Sequence, residues 1–277
     1  MNLSHRAGPA LVAALTVVLG AAAVVVAATE LLRRQAALAR RRIGKALGEE
    51  ALDADRVWCT RYGGPPLDLL VLGDSVAAGL GAERRKDTLG ARIARGLAKR
   101  LQRPVRLRVT AVVGAESSML AAQLDSLERG YRPHAAVVVV GGNDVTHRVP
   151  VAESVGHLVA AVDRLHGLGC AVVVGTCPDL GALRPVPQPL RALGARASRQ
   201  LAAAQVVAVR GAGAYPVSLA DVVGPFFVDH PQEAFSLDRF HPSALGYRRT
   251  AKALVPWVLH ALGEDDDVPP GPGTEVP

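Results

Sequence analysis

The chain opens on an uncharged apolar run, residues 9–28 (PALVAALTVVLGAAAVVVAA), close to the length that crosses a bilayer as a helix. A basic stretch follows, in which Leu31, Leu32, Ala36, Leu38, Ile43 and Leu47 recur at helical spacing among Arg33, Arg34, Arg40, Arg41, Arg42 and Lys45. Residues 51–66 lose any period and end in Gly63-Gly64-Pro65-Pro66, which reads as a linker or entry turn. From there short apolar runs alternate with longer amphipathic ones. Residues 67–72 read as a buried strand, 88–102 as a helix, 105–113 as a second strand, and 117–129 as a helix carrying Met119, Leu120, Leu124 and Leu127 on one face. Residues 135–140 are the third strand, the most apolar of all. Helices at 151–167 and 190–204 bracket a fourth strand at 171–174 and a proline-rich loop at 181–190, and 206–209 is read as a fifth strand. A loop-rich segment from 211 to 241 leads into the last helix, 243–262, with Ser243 as its cap after Pro242. Beyond it the acidic, Pro- and Gly-rich GEDDDVPPGPGTEVP is expected to be disordered.

Five alternations of strand and helix predict an α/β domain with a parallel sheet covered on both faces. A doubly wound sheet of order 2-1-3-4-5 opens its ligand crevice at the carboxyl ends of strands 1 and 3. The domain organisation expected is an N-terminal transmembrane or signal-anchor segment (1–29), a basic juxtamembrane helix and linker (30–66), the α/β domain (67–262) and an acidic tail (263–277). With 277 residues, 49% of them hydrophobic, the chain can bury one large core, and with 4% aromatic that core must be aliphatic.

The net charge of +7 raises the question of nucleic acid. The basic residues gather next to the apolar run, no aromatic residues interleave with them, and no reader-helix motif is present, so a membrane surface is the better partner and nucleic acid is not expected. Val26-Ala27-Ala28 resembles a small-residue cleavage site, but the apolar run is long for a signal peptide, and an uncleaved anchor is the preferred reading. Sidedness stays open, because the positive-inside rule and a basic helix lying on anionic lipid read the same residues differently. Cys59, Cys170 and Cys177 form no CxxC pair. Cys170 and Cys177 flank one strand about 20 Å long when extended, far beyond the roughly 4.4–6.8 Å a disulfide spans. They are read as incidental thiols, with a bridge from Cys59 left open.

The chemistry lies at the strand ends. Gly73-Asp74-Ser75 closes strand 1 on a tight turn; taken alone, it would be a helix cap. Far downstream, Asp238-Arg239-Phe240-His241-Pro242 supplies what a serine nucleophile needs: an imidazole base and a carboxylate to hold its tautomer. Three donors for a developing oxyanion are candidates: the N–H groups of Ser75 and Gly114 and the side-chain amide of Asn143. Asp74 and Asp144 are expected to brace turns, Ser117 and Ser118 to cap the helix they begin, and Arg239 to be solvated or structural. His134, His147, His157, His166, His230 and His260 lack ligand spacing, so no metal is expected. Gly79-Leu80-Gly81-Ala82 invites a dinucleotide reading, which fails because Arg84 stands where a third glycine is required.

These blocks, Gly73-Asp74-Ser75, Gly114, Gly141-Gly142-Asn143-Asp144 and Asp238-Arg239-Phe240-His241, resemble the four blocks of the SGNH hydrolase (GDSL esterase/lipase) superfamily over residues 67–262. Val76 departs from the family's leucine, one aliphatic for another. The resemblance implies a flavodoxin-like three-layer α/β/α sandwich with a five-stranded parallel sheet, and acyl-ester hydrolysis through an acyl-enzyme without cofactor. By it Ser75 is the nucleophile, His241 the base, Asp238 its orienting carboxylate, and Ser75, Gly114 and Asn143 the oxyanion hole. A small-molecule or lipid ester of short to medium chain is the expected substrate. Alternatives are a carbohydrate O-deacetylase of the cell envelope and a non-catalytic acyl- or lipid-binding module; four intact site residues speak against the latter.

Overall fold

A computed structural model describes residues 7–44, 48 and 50–264. In chain order its strands are β1 (Arg56–Trp58), β2 (Leu67–Gly73), β3 (Val105–Val109), β4 (Ala135–Val139), β5 (Ala171–Gly175) and β6 (Tyr215–Val217). Its helices are α1 (Ala7–Ile43), α2 (Ser75–Ala78), α3 (Leu89–Leu101), α4 (Leu120–Asp125), α5 (Gly142–His147), α6 (Val151–Gly167), α7 (Leu190–Gly211), α8 (Leu219–Val222), α9 (Gly224–Asp229), α10 (Pro231–Ala234) and α11 (Ala244–Ala261).

The sheet runs β1-β3-β2-β4-β5-β6, parallel except for β1. Its five parallel strands keep the expected order, with a sixth strand added. β1 pairs antiparallel with β3, Val57 opposite Arg106, and was invisible in sequence because three residues of mixed polarity carry no period. Alternation along the central strands divides two cores. Leu69, Val71, Val137 and Val139 face the layer of α3 and α11, whereas Leu70, Leu72, Val138 and Val140 face Leu120 of α4 and Leu158, Val162 and Leu165 of α6. The two helical layers enclose the sheet, giving the expected three-layer α/β/α sandwich.

One strand was misplaced. Residues 206–209, expected as the fifth strand, lie in α7, where Leu201, Gln205 and Val209 recur every four residues on the buried face while Val207 is 74% exposed. The polyalanine approach to Val206 continues the helix, and β6 follows instead, in register with Val173–Gly175.

α1 covers both the expected anchor and the start of the basic segment. It is one helix through residue 29 into the basic stretch, and it is long and apolar enough to cross a membrane. Of the apolar positions expected to meet lipid, Leu32, Ala36 and Ile43 are half-buried against the protein, while Leu31 and Leu38 remain exposed. Lys45 and Leu47, and the expected acidic tail from residue 265 onward, lie outside the described residues.

Candidate active site

β2 ends in Gly73 because nothing larger fits. Its φ is 132°, and a Cβ there would sit 1.9 Å from the Val139 carbonyl oxygen of the neighbouring strand. Asp74 then caps α2, its Oδ1 accepting the Val76 N–H at 2.9 Å, so Ser75 becomes the first residue of a one-turn helix. Full burial pushes the Asp74 carboxyl up to about 6, against the pull of its backbone donors and His241.

His241 reaches this turn from the other end of the chain. Its Nε2 lies 3.0 Å from Ser75 Oγ and its Nδ1 lies 2.6 Å from Asp238 Oδ2. The second oxygen, Asp238 Oδ1, accepts from Ser236 Oγ at 2.8 Å and from the Phe240 and His241 N–H groups at 2.9 Å each. Burial alone would raise the Asp238 carboxyl; its hydrogen bonds, led by that of His241, outweigh burial and bring it down to about 2. An ionised Asp238 fixes the ring proton on Nδ1, which leaves the Nε2 lone pair to accept the Ser75 hydroxyl proton. Arg239 adopts φ 56°, a left-handed turn that lets carboxylate and ring of the same tetrapeptide meet, and the Phe240 ring packs edge-on to His241 at 4.8 Å.

The donor candidates are joined as well. Asn143, at the start of α5, shares the pocket with Ser75 and donates one amide hydrogen to the Ala115 carbonyl at 2.9 Å, which ties it to the loop carrying Gly114. Among the described residues neither the Ser75 nor the Gly114 backbone N–H has a protein acceptor. Asp144 is buried and accepts the Ser117 N–H with both oxygens, bracing the loop as expected of it. Ser117 is not a cap; its hydroxyl pairs with that of Ser154 at 3.1 Å.

Three contributors escaped the sequence reading. Gln123 clasps Gly73, accepting its N–H through Oε1 and donating through Nε2 to its carbonyl, both at 2.8 Å. Its signal was a polar residue among the apolar positions of α4. Gly81, with φ 104°, lets the histidine loop approach: a Cβ would lie 2.6 Å from the Pro242 oxygen and 3.0 Å from His241 Cβ. Tyr247, fully buried in α11, donates to the Leu80 carbonyl at 2.6 Å. The segment dismissed as a dinucleotide loop thus seats the loop carrying His241.

A cavity of about 800 Å³, counting its open mouth, begins at Ser75, Asn143 and His241 and runs along Leu180, Leu183, Leu219, Val223, Phe227 and Phe235. Among the described residues no three His, Cys, Asp or Glu side chains group to hold a metal ion. The three cysteines are free thiols, and burial pushes Cys170 up to about 12 and Cys177 well above its ordinary value.

A three-layer sandwich with a serine, a histidine and a carboxylate meeting at its strand ends defines a hydrolase of the SGNH class. The chain belongs to the GDSL-like lipase/acylhydrolase family, which it matches over residues 71–249. Membership of that family makes it an esterase. It is 41% identical over 246 residues to the GDSL-like esterase Rv1075c of Mycobacterium tuberculosis, covering 85% of this chain and 78% of that one. In fold it resembles the psychrotrophic esterase EstA of Pseudoalteromonas, with TM-score 0.53, 18% identity, and 69% and 97% of the two chains covered. It likewise resembles an acetyl-xylooligosaccharide esterase of Geobacillus, with TM-score 0.54, 17% identity, and 73% and 97% covered.

Proposed function

We propose that the chain hydrolyses acyl esters through Ser75, His241 and Asp238, with an acyl-enzyme on Ser75. The observation that carries this reading is the single imidazole bonded through Nδ1 to Asp238 and through Nε2 to Ser75 Oγ. His241 removes the Ser75 proton as Oγ adds to the ester carbonyl, and the resulting oxyanion is met by the Ser75 and Gly114 N–H groups and the free hydrogen of the Asn143 amide. Collapse breaks the bond to the alkoxy oxygen, which leaves with the proton held by His241. Water, deprotonated by the same nitrogen, then releases the acid and restores Ser75.

The apolar length of the pocket favours an acyl chain over a glycan on that side of the carbonyl, so a short- to medium-chain ester is our reading of the substrate, ahead of a carbohydrate acetate. Ser75→Ala should lower kcat/KM on p-nitrophenyl butyrate by more than about a thousandfold with unchanged thermal unfolding. Full residual activity would sink the assignment.

A further inference from the structure

The two halves of α1 have different surroundings. Residues 12–31 are exposed throughout, an apolar cylinder with nothing packed on it. Beyond them Gln35 and Ala39 are buried against the catalytic domain. Gln35 Nε2 donates to the Gln188 carbonyl at 2.5 Å and its Oε1 accepts the Leu190 N–H at 3.0 Å, so one amide holds the backbone on both sides of Pro189. Two turns further on, Arg42 donates to the Pro185 carbonyl at 3.3 Å. The loop so gripped leads straight from Leu180 and Leu183 of the pocket wall, and Arg184 fastens it to the Val228 carbonyl of α9. The anchor candidate and the acyl pocket are therefore joined through one continuous set of contacts.

The distances place the bilayer close by. At 1.5 Å per residue the Gln35 clasp lies about 9 Å beyond residue 29, just past a headgroup layer of roughly 5–7 Å on each side. Arg33, Arg34, Arg40 and Arg41 are exposed around this turn, where anionic headgroups would meet them. Apolar side chains stand out on the segments that build the pocket: Val228 is 38% exposed and Leu237, next to Asp238, 76%; Leu193, at the start of α7 beyond the Gln35 contact, is 49% exposed.

We propose that α1 seats the pocket against the bilayer, so that the ester cleaved is one that resides in the membrane, an amphiphile presenting its carbonyl at the headgroup level. This rests on the esterase reading above and names its substrate class.

The test uses the full chain reconstituted in vesicles of phosphatidylcholine and phosphatidylglycerol, with p-nitrophenyl decanoate dissolved in the bilayer and p-nitrophenyl acetate in the water. One variant carries a flexible Gly/Ser linker of about ten residues between Leu31 and Leu32, which keeps the clasp but frees it from the span. A second, Gln35→Ala with Ala39→Glu, opens the clasp itself. Both should lose about fivefold or more on decanoate while acetate hydrolysis stays within about twofold, since only the membrane ester depends on the held geometry. Equal losses on both esters, or no loss on either, would overturn the proposal. A decanoate rate in detergent that tracks self-association of the chain would assign the exposed face to a second copy and overturn it too. Absence of Ser75-dependent acetate hydrolysis in the parent would remove the esterase reading itself, and this proposal with it.

Discussion

Asp74 and Asp238 belong to one site yet are held in opposite states. Asp74 is buried, and the cost of burying its charge outweighs the Val76 and Ala77 N–H groups and His241, so its carboxyl rises to about 6; Asp238 collects four donors and falls to about 2. The signs of their effects on stability are therefore opposite. Between pH 4 and 6 the folded chain holds a proton on Asp74 that the unfolded chain has released, so stability falls as pH rises through that window. Asn in its place still accepts from Val76, so Asp74→Asn should remove that slope and gain on the order of 2–3 kcal/mol at pH 7.5. Urea unfolding at pH 4.5 and 7.5 measures it, and an unchanged slope would contradict the assignment. Asp238 contributes stability above pH 4 that is lost as pH falls towards 2. Asp238→Asn should preserve the fold at neutral pH but cost about 10³–10⁴ in kcat, because the amide leaves the wrong ring tautomer in place.

At the scale of elements, the site is made where strands end, and this is why much of it was legible. A buried strand that stops at glycine and polar residues is a pattern of both hydropathy and chain geometry, and β2 and β4 stop that way close to Ser75 and Asn143, whereas β3 ends at Val109, short of the expected 113, and Gly114 lies in the turn beyond it. Short elements were less legible. β1 is held by pairing to β3 and by Asp55 accepting the Val109 N–H, contacts between residues far apart in the chain. Residues 206–209 have the branched composition of a strand, and only their packing, with Val207 outward, makes them helix. Gln123 looked like an ordinary interruption of an apolar face because its partner, the Gly73 backbone, lies 50 residues away. Gln123→Leu leaves the Gly73 N–H buried without an acceptor, and should cost about 1–3 kcal/mol of stability together with a drop in kcat. Gly81→Ala should separate the two effects: it forces the histidine loop back from Ser75, lowering kcat while KM for a small ester stays nearly constant. A KM rise with unchanged kcat would show that Gly81 serves the pocket instead of the base.

For the whole molecule, the end of β2 positions Ser75, while the segments after β5 supply His241, Asp238 and most of the apolar pocket lining. Leu180 and Leu183 come from the proline-rich loop, and Val223 and Phe227 from the short helices after β6. These residues follow no repeating period, so substrate preference was the least legible property of the chain. A bounded apolar pocket should tolerate lengthening acyl chains and then fail, with kcat/KM on p-nitrophenyl esters falling steeply beyond about twelve carbons. An undiminished rate on long-chain esters would show that the wall opens further than its packing indicates.

Tyr247 joins α11 to Leu80, and α11 packs on α3, so the helix after His241 closes a loop over most of the domain. Synthesis delivers Ser75 first and His241 more than 160 residues later. With the proposed triad, a growing chain carries Ser75 for most of its emergence as an ordinary, unreactive hydroxyl. Reactivity of that triad would arrive late, once the segment carrying His241 joins the fold, so the nascent protein would meet surrounding esters with no competence to cut them until then.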